Sequence, residues 1–354
     1  MRAIDWQDDT VVIVDQTLLP HRVEHLALRE PAELIVAIKR LAVRGAMALG
    51  VAGAMGVALA AVRARERGEN VGAAARAAAR LLAAARPTAT NLFWGVEQAM
   101  MALPGGASAV VGAALALRDA DIAANRAIGE RGADLLGRPA RVLTHCNAGA
   151  LAAVEIGTAL GVVAELHRRS PLTMTYATET RPLLQGARLT AWELGQAGIP
   201  HRVVVDGAAA GLILGGEIDA VVVGADRIAA NGDTANKVGT LAHALAAARA
   251  GIPFLVAAPE ATIAADTATG AGIPIEERDE DEVLSVDGHR IAPPGARAVN
   301  PAFDVTPAEL ITAVVTERRT LPLGRAAEAT GSAPQAAGSV AATIGSKRGE
   351  AIRR

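Results

Sequence analysis

From about residue 141 onward, short β-branched or apolar runs alternate with helical stretches, and this rhythm constrains the chain more than any other feature. Strand-like runs lie at 141–144, 173–178, 202–205, 220–223 and 254–257. Helical patterns lie between them, near 150–160, 184–197, 207–213 and 234–249. Strand, helix, strand at this spacing predicts a parallel sheet covered on both faces. Such sheets bind ligands at the carboxyl ends of their strands. The residues that leave each strand are therefore the first place to look for chemistry.

The first third reads differently. A short β element near Val11 to Val14 precedes helical spacing from Pro31, with Leu34, Ile35, Ile38 and Leu41 on one face. The run from Arg44 to Arg67 is small and apolar, with Gly45, Gly50, Gly53 and Gly56. It does not follow a strand, as a dinucleotide-binding turn must, and predicts a tightly packed helix with a small-residue face. Residues 72–85 are strong helix formers, and 101–118 reads as a loop entering another helix. The division expected is a mainly helical unit over 1–125 and a catalytic unit over 126–323. A tail over 324–354, with little to bury, is expected to be disordered.

Half of the 354 residues are apolar but only 2% are aromatic, so the core must be Ala, Val, Leu and Ile. The formal net charge is -2, which predicts no general nucleic-acid surface. The single cysteine, Cys146, rules out a disulfide within the chain and a thiolate metal cluster. The acidic start is unlike a secretory signal. No stretch of about 18 apolar residues is expected to be free of charge. The expected location is the cytoplasm, with no membrane partner.

The run at 141–144 leads into Thr144-His145-Cys146-Asn147-Ala148-Gly149, with a helix expected from near Ala150. Cys146 beside such a helix start would form a thiolate more easily; the plain alternative is a buried, inert cysteine. Asp226 leaves the run at 220–223 after Gly224 and Ala225. It is a candidate acid or base, or else caps a turn or pairs with Arg227. Asn231-Gly232-Asp233 makes a turn, after which Thr234 is expected to cap a helix running through Lys237. Asn236 and Lys237 would then offer a donor and a cation to a phosphate. Arg44 and Arg86 are further candidates for gripping phosphate. Thr180-Arg181-Pro182 and Gln185-Gly186 form another polar island. His145 and His243 read as structural, and no His, Asp and Glu cluster has metal-ligand spacing.

Six stretches, in order from about residue 38 to 307, carry a resemblance: KRLAVRGAMALG, RPTATNLFWGVE, VLTHCNAGALA, ETRPLLQGARLTAWEL, VVVGADRIAANGDTANKVGT and NPAFDVTP. Together they resemble the methylthioribose-1-phosphate isomerase family. The resemblance implies an α/β protein, with a helical N-terminal domain on a Rossmann-like parallel-sheet C-terminal domain, in a homodimer without metal, nucleotide or other cofactor. It implies that Cys146 is the catalytic cysteine and Asp226 the proton donor. It implies that Arg44, Gly45, Ala46, Arg86, Gln185, Asn236 and Lys237 bind the substrate, a small sugar phosphate. Two departures stand out: Met47 where the family usually has proline, and Ala148 where it often has threonine. Rival expectations are an isomerase of 5-deoxyribose 1-phosphate or ribose 1,5-bisphosphate, and a non-catalytic regulatory subunit of the translation-initiation exchange factor, which would lack the Cys and Asp pair.

Overall fold

The computed structural model describes residues 2–87 and 89–324. The tail expectation over 324–354 lies outside the described residues except for Gly324. The chain opens with an antiparallel sheet of β1 (Ile4–Gln7), β2 (Thr10–Val14) and β3 (His25–Leu28). Helices α1 (Pro31–Lys39), α2 (Ala46–Glu66), α3 (Val71–Ala83), α4 (Thr90–Met101) and α5 (Gly106–Leu136) follow.

Helix α2 is the spine of this unit, and every residue from Ala48 to Val62 is buried. A helix apolar on all sides must be enclosed, and α1, α3, α4 and α5 all pack on it. The expectation of no charge-free apolar stretch is corrected here: residues 45–62 carry no charge and the helix is long and apolar enough to cross a membrane, yet 83% of its most apolar stretch is buried within the protein. Its glycines explain how so few aromatics suffice. A Cβ on Gly95 of α4 would stand 1.8 Å from the carbonyl oxygen of Gly50, so the two helices meet backbone to backbone.

Helix α5 runs through the expected boundary at residue 125. Its Val110 and Ala114 join the core around α2, whereas Ile128 and Ala133 join a core beneath the large sheet. That sheet begins with β4 (Arg141–Thr144), α6 (Ala159–Arg169), β5 (Met174–Thr178), α7 (Ala191–Gln196), β6 (His201–Val204), α8 (Ala209–Leu214) and β7 (Ala220–Val223). A hairpin of β8 (Arg227–Ala229) and β9 (Thr234–Lys237) leads to α9 (Thr240–Ala250) and β10 (Phe254–Ala257). The rest comprises β11 (Ile263–Ala264), α10 (Asp281–Leu284), β12 (Ser285–Val286), β13 (His289–Arg290), β14 (Phe303–Thr306), β15 (Ala313–Val315) and β16 (Thr320–Pro322).

Seven strands pair in the order β16-β15-β10-β7-β4-β5-β6, all parallel except the β15–β16 edge pair. Both faces are covered, as the strand rhythm requires. Val222, Leu255 and Ala257 join one core with Val162, whereas Val221, Val223 and Val256 join the other with Ile213 and Ala244. From β4 the chain winds outward through β5 and β6, then crosses back to β7 on the other side of β4. The sheet therefore reverses between β4 and β7, and the connections leaving their carboxyl ends diverge there, the place where such sheets form a crevice.

Two helix expectations are corrected. Residues 150–152 form only a single 3₁₀ turn, and α6 begins at Ala159. The intervening loop folds on itself, so that a Cβ on Gly157 would lie 2.2 Å from the Cα of Gly149. Residues 234–237 are a strand, not the first turn of a helix, and α9 starts at Thr240. The Asn231-Gly232-Asp233 turn is a hairpin turn: Gly232 has φ +93°, and Ala229 donates to the Asp233 carbonyl at 2.8 Å. The strand leaving that turn, β9, pairs with β8 and β14.

Candidate active site

Cys146 leaves β4 and Asp226 leaves β7, the two strands that flank the reversal point. Cys146 has φ +64°, an uncommon backbone state for a side chain other than glycine. Three polar contacts hold it there. Its N–H donates to Thr180 Oγ1 at 2.9 Å, its carbonyl accepts from Thr190 Oγ1 at 2.6 Å, and Gln185 Nε2 lies 3.3 Å from the sulfur. Asp226 is fixed through its N–H, which donates to the Ala235 carbonyl at 3.0 Å. Its pairing with Arg227 is not formed, because Arg227 points to Asp266 at 3.7 Å.

Both side chains open into one cavity of about 600 Å³. Arg44, Gly45, Ala46, Arg86, Gln185 and Lys237 line the same cavity. Asn236 does not. It is buried, and its Nδ2 donates to Thr240 Oγ1 at 3.0 Å. Alternation along β9 accounts for this: Ala235 and Lys237 face the cavity, while Thr234 and Asn236 face away. Gly45 joins the Arg44 turn to the loop after Cys146. It has φ +92°, and a Cβ there would stand 2.3 Å from the Ala152 carbonyl oxygen.

The charge in the cavity is lopsided. Seven cationic side chains line it (Arg40, Arg44, Arg86, Arg188, Arg227, Lys237 and Arg278) against only Asp226 and Glu276. Several cations are already matched. Arg40 pairs with Asp15 at 2.7 Å, and Arg278 with Glu276 and Glu282. Among the described residues, Arg44, Arg86 and Lys237 have no carboxylate within ion-pair distance. Burial pushes the pKa of each of the three downward. An anion entering the cavity would restore what burial costs them.

The two candidate reactive groups are shifted as well. Burial raises Asp226 to about 6, against the pull of Lys237, Arg44 and Arg86. Asp226 is nonetheless an exposed residue, and it lines the cavity. Burial also pushes the Cys146 thiol up, with Arg44 pulling it down and Asp226 raising it further. Easy thiolate formation at a helix starting near Ala150 is therefore corrected: only a single 3₁₀ turn forms there, and burial outweighs the neighbouring cation.

Several groups escaped the sequence reading. Glu193 on α7 accepts from Asn147 Nδ2 at 2.7 Å and from the Ala150 N–H at 2.6 Å, while Arg44 donates to Asn147 Oδ1. The only sequence signal for Glu193 was its place within the quoted stretch ETRPLLQGARLTAWEL. Arg188 lies within the same stretch but was not singled out, and Arg278 reaches the cavity from a segment with no recognised motif. Met47 lies outside the cavity lining and accepts from Asn91 Nδ2 at 3.3 Å, so its bulk packs against α4. His145 is buried, with Nδ1 2.6 Å from Thr178 Oγ1 and Nε2 2.9 Å from the Val238 carbonyl. Burial lowers it to about 4 and His243 to about 3, in keeping with structural roles. Among the described residues, no group of three His, Cys, Asp or Glu side chains has the spacing to hold a metal ion.

Comparison with known proteins adds to this geometry. The model of the Initiation factor 2 subunit family matches residues 42–322. A methylthioribose-1-phosphate isomerase of Anaeromyxobacter dehalogenans is 53% identical, over 90% of this chain and 93% of that protein. A probable bifunctional methylthioribose-1-phosphate isomerase/methylthioribulose-1-phosphate dehydratase of Nocardia farcinica is 51% identical over 90% of this chain, which spans 59% of that longer protein. Among solved structures, 5-methylthioribose 1-phosphate isomerase from Pyrococcus horikoshii superposes with a TM-score of 0.85 at 38% identity, covering 91% and 92% of the two chains. A structure described as translation initiation factor eIF-2B subunit delta from A. fulgidus superposes with a TM-score of 0.84 at 41% identity, covering 91% and 96%.

Proposed function

This chain belongs to the Initiation factor 2 subunit family, and we propose that within it the chain is an aldose–ketose isomerase, converting 5-methylthioribose 1-phosphate to 5-methylthioribulose 1-phosphate. The observation that carries the reading is one cavity shared by the Cys146 thiol, the Asp226 carboxyl and four cations, Arg44, Arg86, Arg188 and Lys237, that have no carboxylate partner among the described residues. A non-catalytic subunit has no need of that pair.

The chemistry sets the demands. The phosphate on the anomeric carbon prevents the sugar from opening to a free aldehyde. Opening begins when a proton reaches the ring oxygen while C1 gains positive character. Asp226 is the donor, and a carboxyl raised to about 6 keeps its proton far better than an ordinary aspartate. The C4 hydroxyl forms as the ring C1–O bond breaks. Hydrogen then moves from C2 to C1, and the C2 hydroxyl loses its proton as the ketone forms, which restores the proton that Asp226 gave to the ring oxygen. Cys146 serves either as the base that takes the C2 proton or as the group that stabilises charge at C1–C2. Arg44, Arg86 and Lys237 hold the phosphate, and fixed geometry lowers the barrier by removing the search for alignment. Gly45, Ala46 and Gln185 complete the contact surface, with Asn236 behind Lys237.

The wall includes Leu41, Leu49, Leu183 and Leu189, which favours a methylthio end over a second phosphate. The reading extends to a cytoplasmic homodimer with a catalytic unit over 126–323, needing no cofactor and no nucleic-acid or membrane partner. The deciding experiment is turnover of the purified protein on pentose 1-phosphates differing at C5. Preferred conversion of the methylthio sugar supports the reading. Preference for ribose 1,5-bisphosphate or 5-deoxyribose 1-phosphate replaces the substrate, and no turnover on any of them removes the activity. Substrate deuterated at C2 then separates the routes: exchange of the label with water requires a base, and full retention at C1 favours a hydride shift.

A further inference from the structure

We infer that Glu193 is the positioning residue of this site: through Asn147 it fixes both the phosphate-facing Arg44 and the backbone of Cys146. The inference rests on the anion-binding part of the proposed function. Asn147 is buried, and its Nδ2 donates to Glu193 Oε1 at 2.7 Å and to Thr190 Oγ1 at 3.2 Å. A carboxylate only accepts hydrogen bonds. The amide nitrogen of Asn147 must therefore face Glu193, which turns the amide oxygen toward Arg44, the donor it meets. The flipped amide would set NH₂ against guanidinium and oxygen against carboxylate, two repulsions in one move.

The same arrangement orders Thr190. Its oxygen accepts from Asn147, which leaves its proton for the Cys146 carbonyl at 2.6 Å. The left-handed Cys146 is thus tied to the same carboxylate as Arg44. Glu193 is itself held by the Ala150 N–H at 2.6 Å, and Gly149 makes the approach possible, since a Cβ there would lie 2.4 Å from the carboxylate oxygens. Arg44 Nε is buried and has no hydrogen-bond partner among the described residues.

The test is a compensating pair. Glu193→Gln puts an amide NH₂ against either Asn147 or the Ala150 N–H. Asn147→Asp sets two carboxylates face to face. In the double variant, the introduced glutamine accepts from Ala150 and donates to the introduced aspartate, whose other oxygen still accepts from Arg44. The readouts are the dissociation constant for inorganic phosphate, measured by calorimetry, and KM and kcat. Each single variant is expected to weaken phosphate binding by about tenfold or more. The double variant is expected to return phosphate affinity to within about threefold of wild type, far from the product of the single effects, while kcat stays low, because Thr190 Oγ1 then faces an aspartate oxygen and no longer accepts from residue 147. A single variant with unchanged phosphate affinity, or a double variant that only multiplies the two losses, overturns the proposal. If the single variants do not fold, the double variant decides alone. Folded with near-native phosphate affinity, it supports the relay; unfolded or weak-binding, it refutes it. Wild-type protein that binds no phosphate also refutes it. Wild-type protein that binds phosphate but isomerises no sugar refutes only the proposed reaction.

Discussion

Lys237 and Asn236 are neighbours on β9 and project to opposite sides of it, one into the cavity and the other onto the start of α9. Their substitution should therefore have different consequences. Lys237→Gln is expected to raise KM for the sugar phosphate by about tenfold or more, the scale of one charge-assisted hydrogen bond, with little change in melting temperature. Asn236→Ala is expected to lower stability by about 1 kcal/mol and to move KM by less than the lysine change. Equal KM effects, measured by steady-state kinetics, would place both side chains on the ligand.

That pair also marks where sequence reasoning reached its limit. Asn231-Gly232 was visible as a turn, but whether the chain leaves it as a helix or a strand depends on β8 and β14 being present to pair with it. Long-range pairing of this kind leaves no local trace. The buried strands were legible because runs such as Val221-Val222-Val223 have no other use for three consecutive apolar residues. Three strand expectations coincide with the structure at both ends, and the other two differ by one residue. The short strands β11 to β16 were missed, being two to four residues long. In the site, Cys146 and Asp226 could be marked by their place after strands. Glu193 could not, since its importance lies in what it touches.

Cys146→Ala and Asp226→Asn are each expected to lower turnover by at least about a hundredfold, the usual scale for acid–base groups. Circular dichroism should show both folded. Near-wild-type turnover in either would remove that residue from the mechanism.

Asp226 should titrate near pH 6, because burial raises it against the pull of three cations. The neutral acid is thus present below that value and gives way to carboxylate above it. An infrared carboxylate band rising through pH 6 in the wild type and missing from Asp226→Asn would report it. Saturating sulfate should move the transition to higher pH, since a bound dianion disfavours a second negative charge nearby. A titration near pH 4, insensitive to sulfate, would contradict the assignment.

Asp121, on α5, is buried and raised to about 7. It accepts from Asn125 Nδ2 at 3.0 Å and from the Val154 N–H at 3.1 Å, and these offset burial only in part. Its folded-state pKa lies above the ordinary carboxyl value, so its contribution to stability is greatest in acid and is lost as pH rises through about 7. Asp121→Asn carries no charge to bury. Relative to wild type it should gain at least about 1 kcal/mol between pH 5 and pH 8, one pKa unit being worth about 1.4 kcal/mol. Parallel melting curves for the two proteins across that range would contradict this.

The reversal of the sheet between β4 and β7 has a mechanical consequence. The thiol and the carboxyl are mounted on adjacent rails whose separation is set by backbone hydrogen bonding, and Arg44 is held beside them by Asn147, whereas Arg86 rides on the helical unit built around α2. A tilt of that unit would loosen or tighten the hold on the anion while leaving the gap between the reacting groups unaltered. Affinity can thus drift in this architecture without disturbing the reaction it serves.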